Sequence, residues 1–465
     1  MITAGVLIYL ALLAVVGVRQ LHRTRTSDDF LVAGRSLAAP VLACTLLAAW
    51  IGSGSLFAGA GLGYRVGFAA LWQSAGAWAA IAIIWHLAPR VRALTVYTVP
   101  DIFERHYGVA ARRLAAATIV IAYTAIVAFQ FGAGGRLFAL LAGIDTSTGI
   151  FIAALLCIGM TAVAGMRSVA WIDAANTVAV FLGLGLAATY LYGYDGASAV
   201  SRLRPDQLTI FGTLNPVTDA LALFLPALVL LLGDAGMYQK LSAARTEQAA
   251  RRGVAGWFAA TVVAETLIVA VAVLGSAALP GLDAGASDTI VIRVAMSVLP
   301  AALGVLLAAA AAAIIVSTAN TFLLAAATSL VHDFVHGGVA APDGDRAMWV
   351  TRYAIASLGT AALVLLQIFP GMLALALWTF TMYGAVITPP LMAAFFWPRV
   401  TRQGALAGMG TGMAVTILVQ ALVPAIPAIF PALILSTAAM VAVSLRTAVS
   451  ATSPSSPSSS GESGR

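Results

Sequence analysis

Leu47-Ala48-Ala49-Trp50-Ile51-Gly52-Ser53-Gly54-Ser55 lies at the centre of an apolar stretch of the chain, about residues 38–63. A hydrocarbon core about 30 Å thick takes roughly 20 apolar residues as a helix, so the stretch is long enough to cross a bilayer. Two glycines and two serines at its middle are poor helix sustainers. A break at membrane depth is tolerated only where protein or water covers the freed backbone. Two readings stand. A broken helix exposes carbonyls such as those of Ala49 and Gly52, which lie three residues apart and point the same way. Alternatively, the small residues let a neighbouring helix pack closely.

Apolar stretches of this length recur from Leu7 to Val443. The thirteen expected spans run over about 3–19, 38–63, 67–88, 114–142, 147–165, 172–192, 216–235, 254–279, 298–327, 351–369, 371–397, 403–422 and 426–444. Of 465 residues, 61% are hydrophobic and 9% charged, and the mean hydropathy is +0.98. Soluble domains carry roughly 25% charged residues, so most of this chain cannot face water. The expected class is an all-α polytopic membrane protein embedded in the lipid bilayer. The net charge of +7 comes from basic residues in short loops, a topological pattern and not a nucleic-acid footprint. Cys44 and Cys157 lie inside apolar stretches and suggest neither a disulfide framework nor a metal site.

The first span has no basic residue before it, unlike a secretory signal, and the positives follow at Arg19, Arg23 and Arg25. This places the N-terminus outside, and thirteen spans place the C-terminus in the cytoplasm. The loops then assigned inside carry most of the basic residues, among them Arg90, Arg112, Lys240, Arg251 and Arg402; Arg65, Arg136, Arg202, Arg204 and Arg293 fall outside. That asymmetry follows the positive-inside rule and implies a multi-pass cell-membrane protein. Ala448 to Arg465, dominated by Ser, Pro and Gly, is expected to be a disordered cytoplasmic tail. No long soluble region and no GxxxxGK[ST] loop are present, which argues against an ATP-driven pump. No obligate protein partner is evident.

Span 9 reads Ala313-Ile314-Ile315-Val316-Ser317-Thr318-Ala319-Asn320-Thr321, with its polar cluster at mid-span. Ile314, Ser317 and Thr318 are spaced i, i+3 and i+4 and share one helix face. A carbonyl of Ile314, two hydroxyls and two span 2 carbonyls make about five neutral oxygens, a cage suited to a hard cation. The competing reading has the hydroxyls bonding back to their own helix.

Several loops carry a specific likeness. Asp29 to Leu37 follows span 1. Thr98-Val99-Pro100-Asp101-Ile102-Phe103-Glu104-Arg105-His106-Tyr107-Gly108 follows span 3. Gly165 to Asp173 enters span 6, Gly233 to Arg245 with Met237-Tyr238-Gln239-Lys240 follows span 7, and Ser317-Thr318-Ala319-Asn320 precedes Leu323, Leu324 and Asp333. With these motifs in order, the chain resembles the sodium:solute symporter family, the group holding the sodium–proline, sodium–glucose and high-affinity choline transporters.

The resemblance implies a LeuT-type core of two inverted five-helix repeats, spans 2–6 and 7–11. Residues 1–37 then form the first span and loop, 38–397 the transport core, 398–447 two peripheral spans and 448–465 the tail. It implies a sodium-coupled symporter, not an enzyme, that imports a small polar organic solute by alternating access. By motif, sodium falls to Ala49, Gly52, Ile314, Ser317 and Thr318, and Asp173 matches an aspartate associated with sodium handling.

Several positions depart from the family's branches. Ile51 stands where the proline transporters carry an aspartate, while Trp50 to Gly54 is similar to the choline branch's W-V-G-G-G. Residues Pro226 to Leu231 lack the asparagine and tyrosine of the sugar transporters, and Asn176 replaces a usual glutamine. The candidate solute contacts are Trp50, Ser53 and Ser55 at the break, Trp72 and Gln73 on span 3, Gln130 on span 4, and Trp378 and Tyr383 on span 11. Aromatic rings suit a cationic or zwitterionic head group, though at membrane depth they also serve as packing. Glu265, near the middle of span 8, is an ionisable group in an expensive place and a candidate for ion coupling. Proton coupling through Glu265 or Asp173 is the alternative within transport, and a solute sensor the alternative outside it.

Overall fold

The computed structural model describes residues 1–21, 32–94, 96–163, 166–335, 337, 345–367 and 372–450. Among these, nine helical stretches are long and apolar enough to cross a membrane, with shorter apolar helices at Ile2–Leu12, Ala39–Trp50, Thr146–Ala162 and Trp349–Leu365. Together they occupy the thirteen expected stretches. The expected tail lies outside the described residues from 451 onward, whereas residues 448–450 continue the last helix, Ile429–Ser450. Residues 29–31 and 165 of the loop motifs also lie outside the description.

The span 9 helix, Ala301–Thr328, is about 42 Å long at 1.5 Å per residue. Its residues are buried from Leu307 to Thr328, because the helices of spans 1, 4, 5 and 6 pack around it. The span 8 helix, Glu247–Ala278, packs on spans 2, 3 and 6, while span 7 packs on spans 3 and 11. Spans 12 and 13, Arg402–Leu422 and Ile429–Ser450, pair with each other against span 11. They keep Leu422, Ile434 and Leu435 exposed, as a lipid-facing position requires.

Among the described residues, spans 2 and 7 are broken. In span 2 the helix Ala39–Trp50 stops at Ile51, whose backbone is extended (φ −72°, ψ 102°). The chain resumes as a π-helical turn over Gly54–Gly59 and an α-helix over Ala60–Val66. In span 7 the helix Thr218–Gly233 stops at the extended Asp234, and Ala235–Ser242 restarts it. The Asp234 carboxylate caps the restart by accepting the Met237 N–H at 2.9 Å. Two tyrosines cover the freed backbone. Tyr383 donates to the Gly233 carbonyl (2.8 Å) and accepts the Ala235 N–H (3.1 Å), and Tyr123 accepts the Gly236 N–H (3.3 Å).

The start of span 2 is tied to the end of span 7. Leu37 exchanges backbone hydrogen bonds with Ala243 (3.0 Å) and Arg245 (2.9 Å). At the same end, Thr98 and Asp101 form a capping box that starts the helix Val99–Tyr107. Arg112, fully buried, binds Asp101 (3.0 Å), Asp333 (2.8 Å) and Glu104, tying this helix to the end of span 9. Burial pushes the Asp101 carboxyl up, but His332, Arg112 and the Thr98 backbone outweigh it and hold it below the usual value. Arg112 and Lys240, read above as loop charges, are both buried and ion-paired.

Candidate ion and solute site

The break in span 2 separates two compartments. On one side, a small pocket between spans 2, 6 and 9 is lined by Ala48, Ile51, Asn176, Thr177, Ile314 and Ser317. Thr318 Oγ1 donates to the carbonyls of Ala48 (3.1 Å) and Ile51 (3.0 Å). These lie one residue before each of the expected carbonyls of Ala49 and Gly52. The shift has a local cause: the helix ends at Trp50 and the backbone turns at Ile51, which aims that carbonyl across to span 9. At Gly52 a Cβ would sit 2.9 Å from Thr318 Cγ2 and 2.8 Å from Gln130 Nε2, so glycine lets spans 4 and 9 approach the break closely. Ala49 is fully buried. The helix is unbroken through Ile314, and a helical carbonyl retains a second lone pair.

Behind this pocket lies a buried polar network. Ser317 Oγ donates to Asp173 Oδ1, and Thr45 Oγ1 donates to Oδ2 at 2.5 Å. Lys240 Nζ lies 3.4 Å from the same Oδ2 and donates to the Thr45 carbonyl (2.7 Å) and Thr321 Oγ1 (3.2 Å). A serine that donates to a carboxylate keeps its oxygen lone pairs free to face the pocket. Asp173 thus orients Ser317. Lys240 went unnoticed as a site residue, although it is the chain's one lysine beside 24 arginines, Lys and Arg together numbering 25.

On the other side of the break, Trp50, Ser55, Gln73, Gln130 and Glu265 line one cavity, and Thr318 is a wall of it as well. Glu265 Oε1 accepts from Trp50 Nε1 (2.9 Å) and Ser55 Oγ (3.4 Å), and Oε2 accepts from Trp78 Nε1 (2.9 Å). Gln130 Oε1 accepts the Ser53 N–H at 3.1 Å, which pins the break to span 4. The structure does not bring all the candidate aromatics here. Trp72 donates to the Ile210 carbonyl and stacks on Phe211 in the loop before span 7. Trp378 lines a separate pocket with Pro226 and the 424–429 loop, and Tyr383 caps the span 7 break. Ser53 is fully buried. Trp78 and Ser74, near one helical turn apart on span 3, were missed, and only packing reveals that they reach span 8.

The profile of the sodium:solute symporter family matches residues 30–412. The chain belongs to the sodium:solute symporter family. It is a multi-pass membrane transporter that couples a solute to sodium, and not an enzyme. The high-affinity proline transporter PutP of Bacillus subtilis (strain 168) is 27% identical over 426 residues, 85% of this chain and 87% of the relative. The osmoregulated proline transporter OpuE of the same organism is 25% identical over 437 residues, 88% and 87% of the two chains. A solved Na+-coupled sialic acid symporter, substrate-bound and outward-open, superposes with a TM-score of 0.79 at 16% identity, covering 97% of each chain. A nucleobase-cation-symport-1 family transporter in a closed conformation gives 0.63 at 14% identity, over 91% of this chain and 95% of that one. These two likenesses speak to the fold, the LeuT-type arrangement of this family's core.

Proposed function

We propose that this symporter imports a small polar organic solute by alternating access, with sodium held between spans 2 and 9. The ligand set we assign is the carbonyls of Ala48, Ile51 and Ile314 and the hydroxyls of Ser317 and Thr318, with Asp173 handling the ion behind them. The observation that carries this reading is the Thr318 hydroxyl, which reaches both carbonyls at the break. It also walls the solute cavity, so one residue lines that cavity and bonds two residues of the small pocket, Ala48 and Ile51, and can couple the two. Relatives described as proline transporters support a solute of amino-acid size. One charge falling through 100 mV supplies about 2.3 kcal/mol, and at about 1.4 kcal/mol per tenfold ratio that sustains an accumulation of about 40-fold.

The purified full chain in proteoliposomes tests this. An inward sodium gradient at fixed pH drives net accumulation of a solute, and an equal proton gradient without sodium does not. Uptake that follows the proton gradient alone would assign coupling to protons.

The same reading puts the N-terminus outside and the C-terminus in the cytoplasm. In a background lacking Cys44 and Cys157, Ser147→Cys and Ala284→Cys, at exposed sites, should react with an impermeant thiol reagent added to intact cells. Gln248→Cys, also exposed, should react only after permeabilisation. Equal labelling of all three would overturn the orientation.

A further inference from the structure

We propose that the transported solute carries a cationic nitrogen and that Glu265 is its counter-charge. The inference rests on the symport reading and adds the substrate class to it. Glu265 sits near the middle of the Glu247–Ala278 helix, 3% exposed, on the wall of the central cavity. No lysine or arginine lines that cavity, and among the described residues no ion pair to Glu265 is found.

Its neighbours are built for an anion. Both indole N–H groups, from Trp50 and Trp78, can only donate, and each binds a different carboxylate oxygen at 2.9 Å. Donors on both oxygens stabilise the ionised form. A carboxylate that is hydrogen-bonded but lacks a positive partner at membrane depth carries an uncompensated charge, which is expensive. A solute with an ammonium or quaternary nitrogen compensates it.

The aromatic part of the wall, beside the polar Ser55, Gln73, Ser74 and Gln130, suits an organic cation. Phe129, Phe322 and Phe380 line the cavity with Trp50, and aromatic faces attract weakly hydrated cations. A sodium ion instead needs a cage of oxygens, which the other side of the break supplies. A solute whose only charge is a carboxylate meets Glu265 as a like charge.

Wild-type proteoliposomes are given a pooled extract of small metabolites under an inward sodium gradient, and the lumen is read by mass spectrometry. The solute that accumulates with sodium should carry a cationic nitrogen. Sodium-dependent accumulation of an anionic or uncharged solute without one overturns the proposal and leaves symport intact. No sodium-dependent accumulation at all removes the symport reading and this inference with it. For the accumulated solute, E265Q should raise KM at least tenfold and E265D less. Sodium-dependent thermal stabilisation measured without solute should be the same in E265Q as in wild type. A KM within twofold of wild type in folded E265Q, or a lost sodium response, overturns the assignment. If E265Q does not fold, the charge class of the solute carried by wild type still decides.

Discussion

Replacing Ser317 and Thr318 together by alanine raises the sodium concentration for half-maximal uptake at least tenfold, about 1.4 kcal/mol, while the protein stays folded. Both side chains are buried, yet the volume removed is small, a hydroxyl from Ser317 and a hydroxyl and a methyl from Thr318. The packing loss is therefore modest. The ion loses more, since two of the five oxygens we assign to it go and water at membrane depth is a poor replacement. Thr318→Ala also releases the Ala48 and Ile51 carbonyls from their shared donor, and Ser317→Ala removes a donor from Asp173. Each single variant should fall between wild type and the double. Ser317→Thr, which keeps the oxygen, should do less harm than Ser317→Ala. Uptake against sodium concentration at fixed membrane potential reads the result. An unchanged sodium dependence in the folded double variant means the ion binds elsewhere.

Lys240→Met is expected to cost about 3–5 kcal/mol, the range for removing one partner of a buried ion pair. The side chains of Lys240 and Asp173 are 1% and 0% exposed, so solvent does not screen the carboxylate left behind. Thr45 and Ser317 still donate to it, but neither carries charge. The melting temperature of the purified protein should fall sharply. Asp173→Asn in the same chain should recover most of the loss, because contacting partners are not additive. The double variant should still show altered sodium dependence, since an amide orients Ser317 differently from a carboxylate. A Lys240→Met protein as stable as wild type would mean that the pair does not hold spans 2, 6, 7 and 9 together.

Much of this was legible before any coordinates. Hydropathy alone demands many spans, because the chain has too few polar residues to face water. The five sequence motifs indicated the family, and the small polar residues at the centres of spans 2 and 9 marked a place where an ion could bind. These signals are local in the chain, and local chemistry carries them: glycine and serine weaken a helix wherever they stand, and i, i+3, i+4 spacing defines a face in any helix.

The remainder depended on where the chain turns and what it meets there. Which carbonyls face Thr318 is set by the backbone of Ile51, and a one-residue shift of the turn moves the pair from Ala49 and Gly52 to Ala48 and Ile51. The break of span 7 at Asp234 was hidden because a leucine-rich helix followed by Gly233 reads as an ordinary helix end. The hydroxyls of Tyr383 and Tyr123, from spans 11 and 4, join the Asp234 cap in covering the freed backbone. Trp72 and Trp378 show the same limit. A tryptophan's amphipathic ring suits a solute pocket, an outer loop or a packing seam alike, and residue type cannot choose among them. Lys240 read as a loop charge because positive residues after a span usually are. Its neighbours Asp173, Thr45 and Thr321 come from three other spans, and sequence distance says nothing of their meeting. Composition and spacing determined that this chain crosses the membrane and where an ion could bind. Tertiary packing decided which carbonyls meet Thr318 and which carboxylate lines the cavity, because helix contacts orient side chains from distant parts of the chain.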